Sequence, residues 1–202
     1  MFSCTKFGRT HTAKGKVINP ITGEGIPNAQ MKILKHTLGL PGGLKSVKEA
    51  TSDADGNYEI SKSGLNSYSL RCELASDYYK IGWYDNGEKI ATASSDLALK
   101  MGNTKNVDFY AVPYGNYQLK VENISCNGIN DTVIINRTNY AKSFLGNDWI
   151  LTGCIDQTTS KNAVPMGEIY TTYTVIKLGV TNVYNTTFMV QPNQDNIQII
   201  NY

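Results

Sequence analysis

The stretch Thr51-Ser-Asp53-Ala-Asp55-Gly56-Asn57-Tyr58-Glu-Ile60 constrains this chain more than any other. Asp55-Gly56 is a turn dipeptide, because glycine enters the positive-φ region without a Cβ penalty. Asp53 and Asp55 have side chains short enough to bond nearby backbone N–H groups. Tyr58 and Ile60 then fall on one face of an extended segment, at period two. A tight turn feeding an amphipathic strand commits its surroundings to β-structure.

The same alternation recurs along the chain. Tyr68, Leu70, Cys72 and Leu74 alternate with Ser69, Arg71 and Glu73, which predicts a strand over 67–75 with Cys72 inward as a small hydrophobe. Further strands are expected at 12–19, 29–36, 46–51, 57–62 and 97–101. Leu38–Leu44 reads as a glycine-rich hairpin loop and 76–90 as a loop rich in aromatics. A chain of 202 residues suits two domains of about 100 residues each, both large enough for a core. Pro113-Tyr-Gly115 is the expected boundary, since proline lacks the N–H that a ladder needs. After it, Tyr117, Leu119 and Val121 alternate with Gln118, Lys120 and Glu122. The second half offers segments at 116–124, 131–136, 149–155, 168–178, 186–190 and 197–202. That number of short strands suits an immunoglobulin-like sandwich with Trp149 as its core tryptophan. The expected fold class is therefore all-β, two tandem β-sandwiches. The expected organisation is a flexible tether over 1–11, one sandwich over 12–114 and another over 115–202.

The first half carries an ordered set of short motifs. Gly15-Lys-Val17 is followed by Pro20-Ile-Thr22-Gly23-Glu-Gly-Ile26-Pro27-Asn28-Ala29, and then by the Asp-Gly turn. Together, over roughly residues 12–112, they resemble the carboxypeptidase regulatory-like domain. The resemblance implies a transthyretin-like (prealbumin-like) sandwich without catalytic residues, of a kind that supports or positions other domains. The start, Met1-Phe-Ser-Cys4-Thr-Lys, resembles the end of a bacterial lipoprotein signal. On that reading Cys4 is acylated, and the protein is exported to the periplasm or outer membrane and held by a lipid anchor. The other reading is a polar tail with an incidental cysteine.

Composition and spacing exclude several function classes. A net charge of +2 with 18% charged residues, and no cluster of Lys and Arg, is no nucleic-acid footprint. No apolar run approaches the ~20 residues of a membrane span. Four cysteines without a C-x-x-C and two histidines do not make a zinc site. Asp53-x-Asp55-Gly56 begins like a calcium loop, but Gly64 stands where the bidentate glutamate belongs. No nucleophile–base motif occurs, so neither enzyme activity nor a cofactor is expected. Cys126 and Cys154 either pair as a disulfide or stand as separate thiols. Tyr78, Tyr79, Trp83 and Tyr84 lie beside Asp77, Asp85 and Asn86, a mixture of flat rings and polar groups that suits a glycan. It suits equally a loop folded over the core. The expected function is a non-catalytic cell-envelope module for adhesion, scaffolding or spacing, the alternative a carbohydrate-binding module. The expected partner is a glycan or another envelope protein.

Overall fold

The computed structural model describes residues 9–37, 43–142 and 145–202, and no helix occurs among them. Cys4 lies outside the described residues, as does most of the loop expected at 38–44. The chain divides into two compact units, one ending at Val112 and the other running from Pro113 to Tyr202.

In the first unit, β1 (Thr10–Ile18) pairs antiparallel with β4 (Asn57–Ser63). On its other side β1 runs parallel to β9 (Thr104–Asn106) and then to the start of β10 (Asp108–Glu122). The sheet continues from β10 to β6 (Tyr78–Asp85) and β7 (Glu88–Thr92). A second sheet orders β3 (Gly43–Thr51), β2 (Gln30–Thr37), β5 (Tyr68–Glu73) and β8 (Leu97–Leu99). Between them sit Val17, Met31, Ile33, Ile60, Leu70, Trp83 and Phe109, all fully buried. Each such aliphatic side chain contributes about 1.5–3 kcal/mol by leaving water.

The two sequence motifs of this unit are one structure. Ser52 is buried, and its hydroxyl donates to the Ile26 carbonyl (2.8 Å) and accepts from the Ala29 N–H (2.9 Å). The Ile26–Ala29 turn is thus bolted to the residue that opens the Asp-Gly turn. Asp53 Oδ1 accepts from the N–H groups of Asp55 (3.0 Å) and Asn57 (2.8 Å). Gly56 has φ +78°, and its N–H donates to the Asp53 carbonyl. A Cβ there would strike the Val17 carbonyl oxygen and the Gly25 Cα.

In the second unit, residues 113–122 of β10 pair antiparallel with β13 (Asp156–Thr158) and β14 (Asn162–Pro165), and parallel with β17 (Asp195–Asn201). The other sheet orders β12 (Trp149–Thr152), β11 (Thr132–Asn139), β15 (Gly167–Lys177) and β16 (Val180–Val190). Leu119, Val121, Val133, Ile135 and Ile169 fill the space between. Both units are β-sandwiches, as alternation along the chain implies.

Several expectations change. Residues 76–90 are not a loop but the β6–β7 hairpin, closed by Asn86 (φ 49°) and Gly87 (φ 83°). Pro113 does not break the ladder: β10 runs through it, and its carbonyl accepts from the Met166 N–H (2.8 Å). Proline costs a strand only its missing donor, and here the acceptor is what is used. Thr10 and His11, expected in the tether, belong to β1, where His11 is 2% exposed and its Nδ1 lies 3.1 Å from the Leu99 carbonyl. Met101 is exposed beyond the end of β8. Trp149 is only half-buried against the second core, because β12 is an edge strand with one neighbour.

Candidate functional site

A concavity of the first unit forms where β1 changes partner. From Thr12 to Lys14 it pairs with β9, and from Val17 with β10. Between these, the Val107 N–H donates to the Lys14 carbonyl (3.0 Å) and the Lys16 N–H to Asp108 Oδ1 (2.8 Å). Gly15 is obligatory at the crossing, since a Cβ would collide with the Val107 carbonyl oxygen. The buried Tyr58 hydroxyl donates to that same oxygen (2.7 Å), and burial pushes its pKa up. A cleft of about 610 Å³ opens above this switch. Asp53 and Asn57 of the Asp-Gly turn line it, as do Tyr84, Asp85 and Asn86.

Tyr84 is half-buried and stacked on Tyr110, with ring centroids 3.9 Å apart and planes 12° from parallel. Lys14, Lys16, Asp85, Asn86 and Asn106 are exposed at the cleft, so both charge signs and several amides meet there. Asp53 is held below the ordinary carboxylate range by its hydrogen bonds from Asn57, the side-chain bond first. This arrangement can hold a polar ligand against a flat ring.

The sequence placed Tyr78, Tyr79, Trp83 and Tyr84 in one candidate platform, and the structure separates them. Trp83 is 0% exposed, with its ring edge-on to Phe109 (4.8 Å, 76°) and its Nε1 donating to the Ser95 carbonyl (2.9 Å). It cannot stack on a sugar. Tyr84, the next residue in the strand, points to the opposite face, as period two requires. Tyr78 and Tyr79 are half-buried earlier in β6 and do not line the cleft. Sequence reasoning named Asp85 and Asn86 beside the rings but missed Asn106 and Asp108, which reach the cleft from distant strands. Asn86-Gly87, the strongest kind of short-range hairpin dipeptide, would have set Tyr84 and Asp85 at a strand end.

The second unit contains a buried polar cluster beside a disulfide. Cys126 and Cys154 are bonded, with Cα atoms 5.3 Å apart. Asp131, 3% exposed, accepts from the Asn127 N–H (2.8 Å) and from Asn123 Nδ2 (3.1 Å). Those bonds, the Asn127 N–H first, hold its pKa down. Lys177 Nζ donates to Asn123 Oδ1 (2.8 Å) and the Ser125 carbonyl (2.9 Å), and lies 4.9 Å from the centre of the Tyr202 ring. These contacts close the disulfide loop onto β15. Cys72 is buried and its thiol is pushed up to about 12, so it is a poor nucleophile. Among the described residues no group of three or more His, Cys, Asp or Glu side chains could hold a metal ion.

Neither a protein-family model nor a curated relative matches the chain. Among solved structures it is similar to the Bacillus anthracis TIE protein, at 16% identity and a TM-score of 0.37 over 95% of this chain and 34% of that one. It is also similar to a DUF3823 family protein from Bacteroides uniformis, at 12% identity and a TM-score of 0.36 over 90% of this chain and 100% of that one. A streptococcal ancillary pilin shows 11% identity and a TM-score of 0.37 over 98% of this chain and 63% of that one. The chain thus spans about a third of the TIE protein, and scores this low carry no argument about function.

Proposed function

We propose that the protein is a non-catalytic module of the bacterial cell envelope that positions or joins other components, as an adhesion, scaffold or spacer unit. On this reading the first unit is a carboxypeptidase regulatory-like module and acylated Cys4 is the membrane tether. The carrying observation is how the buried polar groups are used. Ser52 joins two turns, Asn123 and Asp131 brace the Cys126–Cys154 loop, and His11 is bonded into the β1–β8 corner. None of these four polar groups lines the cleft of the first unit. The disulfide supports export, because such bonds persist in oxidising compartments.

Expression from the natural locus tests this. Lysines such as Lys14 and Lys48, exposed or half-exposed on the fold, are expected to react with an impermeant amine reagent on intact cells. The protein is expected in the detergent phase on phase separation, and Cys4→Ser in the aqueous phase. Identical partitioning of the two forms refutes the anchor. A cytoplasmic, unlabelled protein refutes the envelope role.

A second reading, glycan binding, is favoured by one observation: the Tyr84–Tyr110 stack beside a cleft of amides and carboxylates. A stacked aromatic anchor can carry about 2 kcal/mol, so Tyr84→Ala is expected to weaken any glycan seen on an array by about thirtyfold. No signal with the wild-type protein, or an unchanged one with Tyr84→Ala, removes this reading.

A further inference from the structure

The edges of the sheets are treated unequally. β3 carries Lys45, Lys48 and Glu49, and its pairing with β2 shifts register at Ile33/Leu34. β4 carries Glu59 and Lys62. β7 is five residues long, carries Glu88 and Lys89, and shifts register against β6 at Trp83/Tyr84. β8 and β12 are three and four residues long. β17 opens on Asp195, which accepts from Lys161. Shortness, charge and bulges are the devices that keep an edge from pairing with another chain.

β16 has none of them. It is eleven residues long, Val-Thr-Asn-Val-Tyr-Asn-Thr-Thr-Phe-Met-Val, without a charged residue or a proline. Its pairing with β15 is unbroken from Val180↔Lys177 to Val190↔Gly167. It ends the sheet, and among the described residues no strand meets its outer edge. Residues 180–187 are exposed whichever face they point to, including Val183 at 60% and Tyr184 at 45%. Among the described residues, an edge of about 37 Å at ~3.4 Å per residue is left unpaired and unprotected.

We infer that β16 is an interface for a second copy of this chain, paired antiparallel across a two-fold axis near Asn185. Unpaired main-chain N–H and C=O groups in this geometry are satisfied by another strand, the mode of strand addition. The absence of charge argues for self-pairing. With the axis near Asn185, Val183 meets Thr187 and Tyr184 meets Thr186 of the other copy, and residues close to the axis meet their own kind; a charge there would be repelled, whereas this Asn, Thr and Val strand brings none. The pairing would join two four-stranded sheets edge to edge. It would also cover Val183 on one face and Tyr184 on the other.

Sedimentation equilibrium of the 202-residue chain tests the inference, with Cys4→Ser throughout so that this thiol cannot link copies. Between about 1 and 100 µM, a range that detects micromolar affinity, the mass is expected to rise from 22.3 kDa to twice that value. Val183→Lys with Asn185→Lys is expected to hold the mass at the monomer value, with an unchanged melting temperature at about 1 µM, where both chains are monomeric. Ile150→Lys, on the edge strand β12, is expected to leave the dimer intact. Should the double variant fail to fold, amide exchange of the unsubstituted strand decides, with β16 protection expected to rise with concentration. A monomer at every concentration, an open polymer, a dimer that survives the double substitution, or concentration-independent β16 exchange overturns the proposal.

Discussion

Replacing Trp83 by alanine is expected to lower the stability of the first unit by about 3–5 kcal/mol, the usual cost of removing a large aromatic from a closed core. The ring is fully buried, packs edge-on against Phe109 and gives its only donor to the Ser95 carbonyl. Its removal opens a cavity and takes away a hydrogen bond worth about 1 kcal/mol. Urea unfolding followed by far-UV circular dichroism measures the loss. Tyr84→Ala, one residue along on the opposite face, should cost far less. If the two variants lose equal stability, the inward and outward assignment along β6 is wrong.

The second large effect belongs to Gly56. Valine at this position is expected to destabilise by about 3–5 kcal/mol, combining a strained positive φ with an overpacked contact. The two contributions can be separated within this chain. Gly23 has almost the same backbone angle, φ +77° against +78°, but a Cβ there meets nothing within 4 Å. Gly23→Val therefore reports backbone strain alone, about 1–3 kcal/mol. The excess at Gly56 reports the approach of the Val17 carbonyl and Gly25. Equal midpoints for the two variants in thermal unfolding would show that the turns do not pack as described.

The sequence was legible where local chemistry and burial agree. Tyr68, Leu70 and Cys72 alternate because β5 is buried on one face, and all three lie in the core. The Asp-Gly turn was readable because Asp53 bonds backbone only two and four residues away. What was not legible depends on distant partners. Whether an aromatic is platform or core depends on which face the opposite sheet covers, and neither Trp83 nor Tyr84 carries that information. Val180–Asn185 has no apolar alternation because neither face of the strand is buried, so only its last residues were recognisable. β13 and β14 are three and four residues long and hold their places by pairing with β10, some 35–50 residues earlier. Gly15 in the cleft could be read as part of a motif. The reason for it, the carbonyl of Val107 arriving from the far end of the unit, could not.

The parallel alignment of opening and closing strands has a kinetic consequence. β1 is completed on one side only when Asp108 accepts the Lys16 N–H, across 92 residues of chain. In the second unit Tyr117 waits for Gln198, 81 residues later. Contacts this remote in sequence must close long loops before they return any free energy, which slows folding to the millisecond-to-second range typical of β-sandwiches. A ribosome adds about 5–20 residues per second, so β1 is exposed for several seconds before its parallel neighbours have been synthesised. During that interval the only sheet neighbour available to Thr10–Ile18 is the antiparallel strand β4. The first unit is therefore expected to gain its stability only once all of its ~110 residues are present together, folding as one unit rather than strand by strand.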